Sequence, residues 1–379
     1  MECVISKNKI YDLIQKTYPI IPAKTSLQIL SNFKISFSSK DVGMTATDLD
    51  HSIVATAEAS SDAEAEITVN ARKLFEIVRE LPEGDIYLGI DENVLIIDNK
   101  KGFSCKIAGI GTEDFPMFPA IDDGISFSVK SDCLREMIVK SSFAVSRDES
   151  RTCLCGVFWK FERGTTGMVA TDGHRLGSSF WKQEETLEKN VSMIVSPKSL
   201  LHLVRIMGDM KPDTSMQITL GEKYVLFQSE NIKICSKLIE GPYPDYEKAI
   251  PKVNPKKAII DKNALFEAVK RVSVLSNQKT HLVKCVFKHG KLEVMVLNRD
   301  IGGEAREIVS IDYDGPEHVV GFNAQYLMEI IGIIAVPKIR MEMNTHISAC
   351  LIFPNIEKET DKKSDDLFLI MPLRIMEEA

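Results

Sequence analysis

At 379 residues the chain is too long for one ordinary hydrophobic core and suits two to three domains of roughly 100–200 residues each. Its 44% hydrophobic and 27% charged residues are those of a soluble globular protein; no stretch approaches the ~18 uncharged apolar residues of a membrane span, and Lys7 interrupts the start too early for a secretory signal. A cytoplasmic protein is expected, and the net charge of −7 at first argues against a nucleic-acid partner.

The first predicted element is a helix over 6–18, capped by Ser6, with Ile10, Leu13 and Ile14 on its apolar side. Pro19 and Pro22 end it, leaving Lys24 in an exposed loop. Alternating strands follow at 33–37 and 53–57, then a helix opened by Asn70 and carrying Leu74, Phe75, Ile77, Val78 and Leu81. Strands at 86–90, 94–97 and 103–107 lead to Pro116. The same order then returns: a strand at 127–129, a helix over 132–143, strands through Trp159, and a helix capped by Ser196 with Pro197 at its first position and Leu200, Leu201, Leu203, Val204 and Met207 on its apolar side. Strands at 216–220 and 225–228 close this second unit. The third has a helix over 261–275, strands at 283–287, 292–297 and 307–311, and a helix over 323–333.

Three sets of landmarks keep one period. Met44, Met168 and Met295 on corresponding strands are 124 and 127 residues apart; the caps Asn70, Ser196 and Asn323 are 126 and 127 apart; Pro116, Pro244 and Pro372 are 128 and 128 apart. An internal triplication of whole domains explains this, because solenoid repeats run roughly 20–50 residues. The expected domains are 1–122, 123–250 and 251–379, each β-rich with two helices, an α+β fold.

Charge is segregated. The six helical stretches together carry +7, which leaves −14 on the rest of a chain of net −7. A surface that attracts phosphate on one side and repels it on the other fits this pattern, and so does the plain fact that lysine and arginine are good helix formers. Eight cysteines without a CxxC pair read as buried thiols in a reducing compartment. Cys153 and Cys155 on a strand would share a face, as a core or pocket wall rather than a zinc site, which needs two further ligands. No metal or cofactor is expected.

The most informative stretch is Thr171-Asp172-Gly173-His174-Arg175-Leu176, a strand end followed by a tight turn in which Gly173 supplies a positive φ and Asp172 caps. His174 is either a surface turn histidine or part of a site. A hydrolase could be built from Asp172 and His174 with Ser178 or Cys155 as nucleophile, but no GxSxG, HExxH or glycine-rich phosphate loop accompanies them.

The chain carries ATDGHRL at 170–176, ARK at 71–73, LPEG at 81–84, SKL and PDY within 236–246, VLSN at 274–277, GFN at 321–323 and MPLR at 371–374. With these motifs it resembles, end to end, the bacterial DNA polymerase III β subunit family, the sliding clamps. The resemblance implies the DNA-clamp fold, three domains per subunit joined head to tail into a homodimeric ring, with helices facing double-stranded DNA held without regard to sequence. It also implies a processivity factor with no chemistry of its own, which tethers the replicative polymerase, the clamp loader and other DNA enzymes through short peptides. The residues matching the family's peptide groove are Arg151, Leu154, Thr171, Gly173, His174, Arg175, Leu176, Pro244, Ala249, Leu369, Met371, Pro372, Leu373 and Arg374. Ala249 is smaller than the usual aliphatic residue there, and Glu377-Glu378-Ala379 run past the usual end. The DNA-facing candidates are Lys24, Arg72, Arg79, Arg147, Lys198, Arg205, Lys248 and Lys279. Phe103, Val274 and Leu275 match the ring joint, although a place in their own domain's core would explain them equally.

Overall fold

A computed structural model describes residues 2–183, 190–208, 210, 214–357 and 363–375. The described residues include six α-helices: α1 (Lys7–Thr17), α2 (Ala71–Glu80), α3 (Ser131–Ser142), α4 (Pro197–Met207), α5 (Lys262–Ser273) and α6 (Ala324–Ile333), two in each repeat. Their starts follow from local capping chemistry. Ser6, Asn70, Asp261 and Asn323 each accept a backbone N–H from the first turn of α1, α2, α5 and α6.

The buried sides follow the apolar periodicity, with one exception. Ile10, Leu13 and Ile14 of α1 and Leu74 and Val78 of α2 are buried. In α4, Leu200 and Leu203 are buried while Leu201 is 45% exposed and His202 takes an interior place. The run of apolar residues there is wider than the stripe that a helix can bury against a single sheet. Cys153 and Cys155 also depart from expectation: they lie in a 3₁₀ segment, Glu149–Cys155, and not on a strand.

The strands form two antiparallel sheets, each within its own compact unit. The first unit comprises Met1–Asp132 with Arg205–Leu238, and the second Cys133–Val204 with Ile239–Ala379. In the first, a four-strand block of repeat two ends at Ile232–Lys237, which pairs with His51–Glu58 of repeat one. In the second, the other block of repeat two ends at Arg175–Lys182, which pairs with Asp365–Ile370 of repeat three. The middle repeat therefore gives one half-sheet to each unit.

The triplication extends to the turns. Asp48 Oδ1 accepts the N–H of Asp50 and His51, and Thr47 Oγ1 donates to the His51 carbonyl at 3.0 Å. In repeat two, Asp172 Oδ1 accepts from His174 and Arg175, and Thr171 Oγ1 donates to the Arg175 carbonyl at 2.7 Å. Gly173 has φ +90°; its counterpart Leu49 has φ +79°, a left-handed conformation without glycine's freedom.

Candidate functional site

The Thr171–Leu176 hairpin sends its side chains to opposite faces of the sheet, as strand alternation requires. Arg175 points to the helix side. It is 5% exposed, its Nε donates to Asp172 Oδ2 at 3.2 Å, its guanidinium lies 4.2 Å from the Tyr326 ring centroid, and it pairs with Glu329 of α6. Its side chain thus ties repeat two to repeat three.

Leu176 points outward, directly opposite Leu369 on the neighbouring strand. The two pack with Val169, Leu351, Ala349 and Tyr246 into an apolar cluster on the outer face, framed by Phe158 and Tyr243 among others. Tyr243 stacks on Phe158 at 4.8 Å, and its hydroxyl accepts the Thr171 N–H at 3.1 Å. Burial raises the Tyr243 phenol well above its ordinary range, so it stays neutral and holds the strand end that precedes the turn.

The C-terminal segment completes the wall. The Met371 N–H donates to the His174 carbonyl at 2.7 Å, and the Leu373 N–H donates to the Gly321 carbonyl at 2.8 Å. Met371 is 37% exposed, Pro372 and Leu373 are half-buried, and His174 and Arg374 are exposed. Leu154 is buried, and Arg151 Nη1 would lie 3.4 Å from a Cβ placed on Gly173. Pro244 and Ala249 are exposed and stand outside the packed cluster. Glu377-Glu378-Ala379 lie outside the described residues.

Sequence reasoning missed Tyr243, Tyr246, Ala349 and Leu351. The two tyrosines carried a usable signal, since both stand in the proline-rich Gly241–Tyr246 segment. Ala349 and Leu351 carried none, because only the sheet order sets Leu351 opposite Leu369 and brings Ala349, just before the same strand, into the cluster.

The candidate DNA-facing cations are dispersed. Arg72 and Arg79 lie exposed on α2, paired with Glu76 and Glu80; Lys198 and Arg205 lie exposed on α4. Lys24, Arg147 and Lys279 occupy exposed loops. Lys248 is set apart from the helices: it sits in the Tyr246–Ala249 turn beside the outer apolar cluster, with its ammonium 3.1 Å from Asp245. At the expected joint, Phe103 is 38% and Val274 80% exposed, whereas Leu275 packs on the core of its own repeat.

Three family models cover nearly the whole chain: the N-terminal domain of the DNA polymerase III β subunit matches residues 1–119, the central domain 128–245 and the C-terminal domain 247–373. The chain belongs to the DNA polymerase III β subunit family. A β sliding clamp of Caulobacter vibrioides is 30% identical to it over 385 residues, covering 99% of this chain and 100% of that one. Sliding clamps from Pseudomonas aeruginosa and Bartonella birtlesii, both solved bound to griselimycin, superpose with TM-scores of 0.91 and 0.92 at 28% and 27% identity, each over 99% of this chain and 100% of the other. The function of this chain is that of a DNA sliding clamp.

The hydrolase reading fails on geometry as well. Asp172 spends one carboxylate oxygen on two backbone N–H groups and the other on Arg175, so it does not orient the His174 ring. Ser178 is buried and donates to the Leu367 carbonyl, and burial followed by the Asp148 and Glu149 carboxylates raises the Cys155 thiol, the opposite of nucleophile activation. Among the described residues no group of three His, Cys, Asp or Glu side chains could hold a metal ion, and no helix is long and apolar enough to cross a membrane.

Proposed function

We propose that two copies of this β subunit close head to tail into a ring around duplex DNA. The observation that carries this is a pair of open strand edges. At each junction between repeats inside the chain, the strand after the Asx turn pairs with an edge strand of the next repeat: His51–Glu58 with Ile232–Lys237, and Arg175–Lys182 with Asp365–Ile370. The counterpart in repeat three is Gly303–Asp312, and the counterpart edge in repeat one is Ser104–Ile110. Along Gly303–Ser310 and Ser104–Ala108 each strand has a described ladder partner on one side only. Unpaired edges of this length invite another chain, and two complementary edges at opposite ends of one repeat series form a heterologous contact that closes when the rotation allows.

Three clamp domains, 1–122, 123–250 and 251–379, with two helices each would then give six domains in a dimer. The net positive helical stretches, carrying Arg72, Arg79, Lys198 and Arg205, would face phosphate, with Lys24, Arg147 and Lys279 beside them, while the acidic remainder keeps DNA in the hole. Contacts to phosphate hold a duplex without reading it, so the ring slides and retention is topological. The outer cluster around Leu176 and Leu369 would receive short apolar peptide segments of the polymerase, the clamp loader and other DNA enzymes, with His174, Arg151 and Arg374 at the rim. The subunit acts as a cytoplasmic scaffold, with no catalytic residue.

The test combines native mass measurement with retention on circular and on linearised DNA. A dimer retained on circles and lost from linear DNA is expected; a monomer that holds both equally would overturn the ring. Replacing Lys24 and Arg205 by glutamine should lower the salt dependence of loading, because fewer counterions are released.

A further inference from the structure

The outer apolar face does not stop at Leu176 and Leu369. Ser178 and Leu367, then Phe180 and Asp365, are the next outward pairs along the same two strands. They open onto a separate cavity of about 460 Å³, within the size range of ligand-binding clefts. Its floor is aromatic and aliphatic, with Phe180, Tyr246, Phe353 and Leu367. Tyr246, Phe180, Phe353 and Leu367 also belong to, or pack against, the cluster that holds Leu176 and Leu369, so cavity and groove share one wall.

The rim has a sign. The lining holds two cations, Lys160 and Arg340, against three outward carboxylates, Glu162, Glu247 and Asp365; Asp366 also borders the cavity, but its buried carboxylate is held by Lys140 at 2.8 Å and by Ser179 and Ser364. Lys160 is drawn to Glu162 at 2.9 Å, and Arg340 to Glu342 at 3.0 Å while it lies 4.8 Å from the Phe353 ring. Glu247 is 67% exposed and only 3.8 Å from the already engaged Lys160. An aromatic floor under a net negative rim suits a guanidinium, which stacks on rings and bonds to carboxylates in one plane.

We propose that this cavity is a specificity subsite for an arginine of the partner peptide, placed outside the apolar residues that fill the groove. The inference rests on the peptide-groove reading above. Two strand residues advance about 7 Å, so the arginine should stand about two to four residues from the nearest groove-seated side chain. A partner carrying it would bind more tightly than one with the same apolar anchors alone, giving partners that compete for one groove a rank set by a flanking charge.

The test uses the full-length chain and fluorescein-labelled peptides read by anisotropy. One peptide carries only the apolar core, closely spaced leucine and phenylalanine; others add a flank at either end with arginine or alanine two to four residues out. Arginine at one end should tighten binding at least fivefold over alanine, and the gain should shrink below twofold in the double variant Glu162→Gln, Glu247→Gln, whose affinity for the core peptide stays unchanged. Core binding with equal affinity for arginine and alanine at both ends would overturn the subsite and leave the groove standing. A gain that survives the double variant would place the arginine elsewhere and overturn it too. If an intact protein fails to bind the core peptide, the groove reading falls and this inference falls with it.

Discussion

Val274→Asp tests the ring most directly. Val274 is 80% exposed at the end of α5, an unusual place for an aliphatic side chain beside an open strand edge. On repeat one, Phe103 walls a mostly apolar recess with Ile77, Leu81 and Pro82, flanked by Glu76 and Glu80, whose charges would also repel an added carboxylate. Covering the valine at a closed joint is worth about 1.5–3 kcal/mol. An aspartate there would lose that term and also bring an unpaired carboxylate against apolar surface, so the loss should reach roughly 3–5 kcal/mol per joint. A ring of two subunits has two joints, and each 1.4 kcal/mol is about tenfold in Kd, so the dimer should weaken by at least roughly four orders of magnitude. Sedimentation equilibrium from nanomolar to micromolar concentration would measure this, with circular dichroism as the check on folding. Val274→Ala should weaken the dimer in the same direction by less. A folded Val274→Asp protein that sediments as the wild-type dimer at every concentration would refute the reasoning.

The matched turns give opposite signs for one kind of change. Gly173→Ala should cost about 1–2 kcal/mol in urea unfolding, because φ is +90°, whereas Leu49→Gly at φ +79° should be neutral or stabilising by up to about 1 kcal/mol. Met371→Ala should weaken binding of a leucine- and phenylalanine-bearing peptide by about 1–3 kcal/mol in anisotropy titrations while native mass still reports a dimer. His318 is buried, and that burial, followed by the nearby Lys256 and His346, pushes its pKa down to about 4 from 6.5. The unfolded chain therefore takes up the proton first: the stability that the neutral ring contributes is intact above about pH 6.5 and is lost as pH falls towards 4, by at most roughly 3 kcal/mol. Urea unfolding between pH 7 and 4.5 should show that slope, and His318→Gln should flatten it.

Much of the fold was legible because its signals are local. Ser6, Asn70, Asp261 and Asn323 are side chains that satisfy orphan N–H groups within three residues, so sequence spacing alone locates them. The hairpin at Gly173 is equally local. What escaped depended on partners far away in the chain. Arg175 enters the sequence reading as a groove residue, and nothing near it in the chain shows that Glu329 and Tyr326 of the next repeat surround its side chain. The same holds for Leu275, which packs inward while its neighbour Val274 does not, and for the two half-sheets of repeat two, which join different units.

The proposed docking groove lies at one of two equivalent junctions, and a single pair of residues distinguishes the two. The registers align Thr47 opposite Ser52 in repeat one with Thr171 opposite Leu176 in repeat two, so Ser52 and Leu176 hold the same station. Across the junction Leu176 meets Leu369, whereas Ser52 meets Cys235. Ser52 shares a hydrogen bond with Thr47 at 2.8 Å, which leaves a small, internally satisfied polar contact where repeat two offers two leucines and their apolar surroundings. Leucine and phenylalanine side chains gain about 1.5–3 kcal/mol each from full burial in apolar surroundings, and little of that is available against a serine and a cysteine. Triplication supplied two equivalent junctions within the chain. On the proposed reading, the leucine pair at this station suits the junction between repeats two and three to an apolar peptide better than the serine and cysteine at the other.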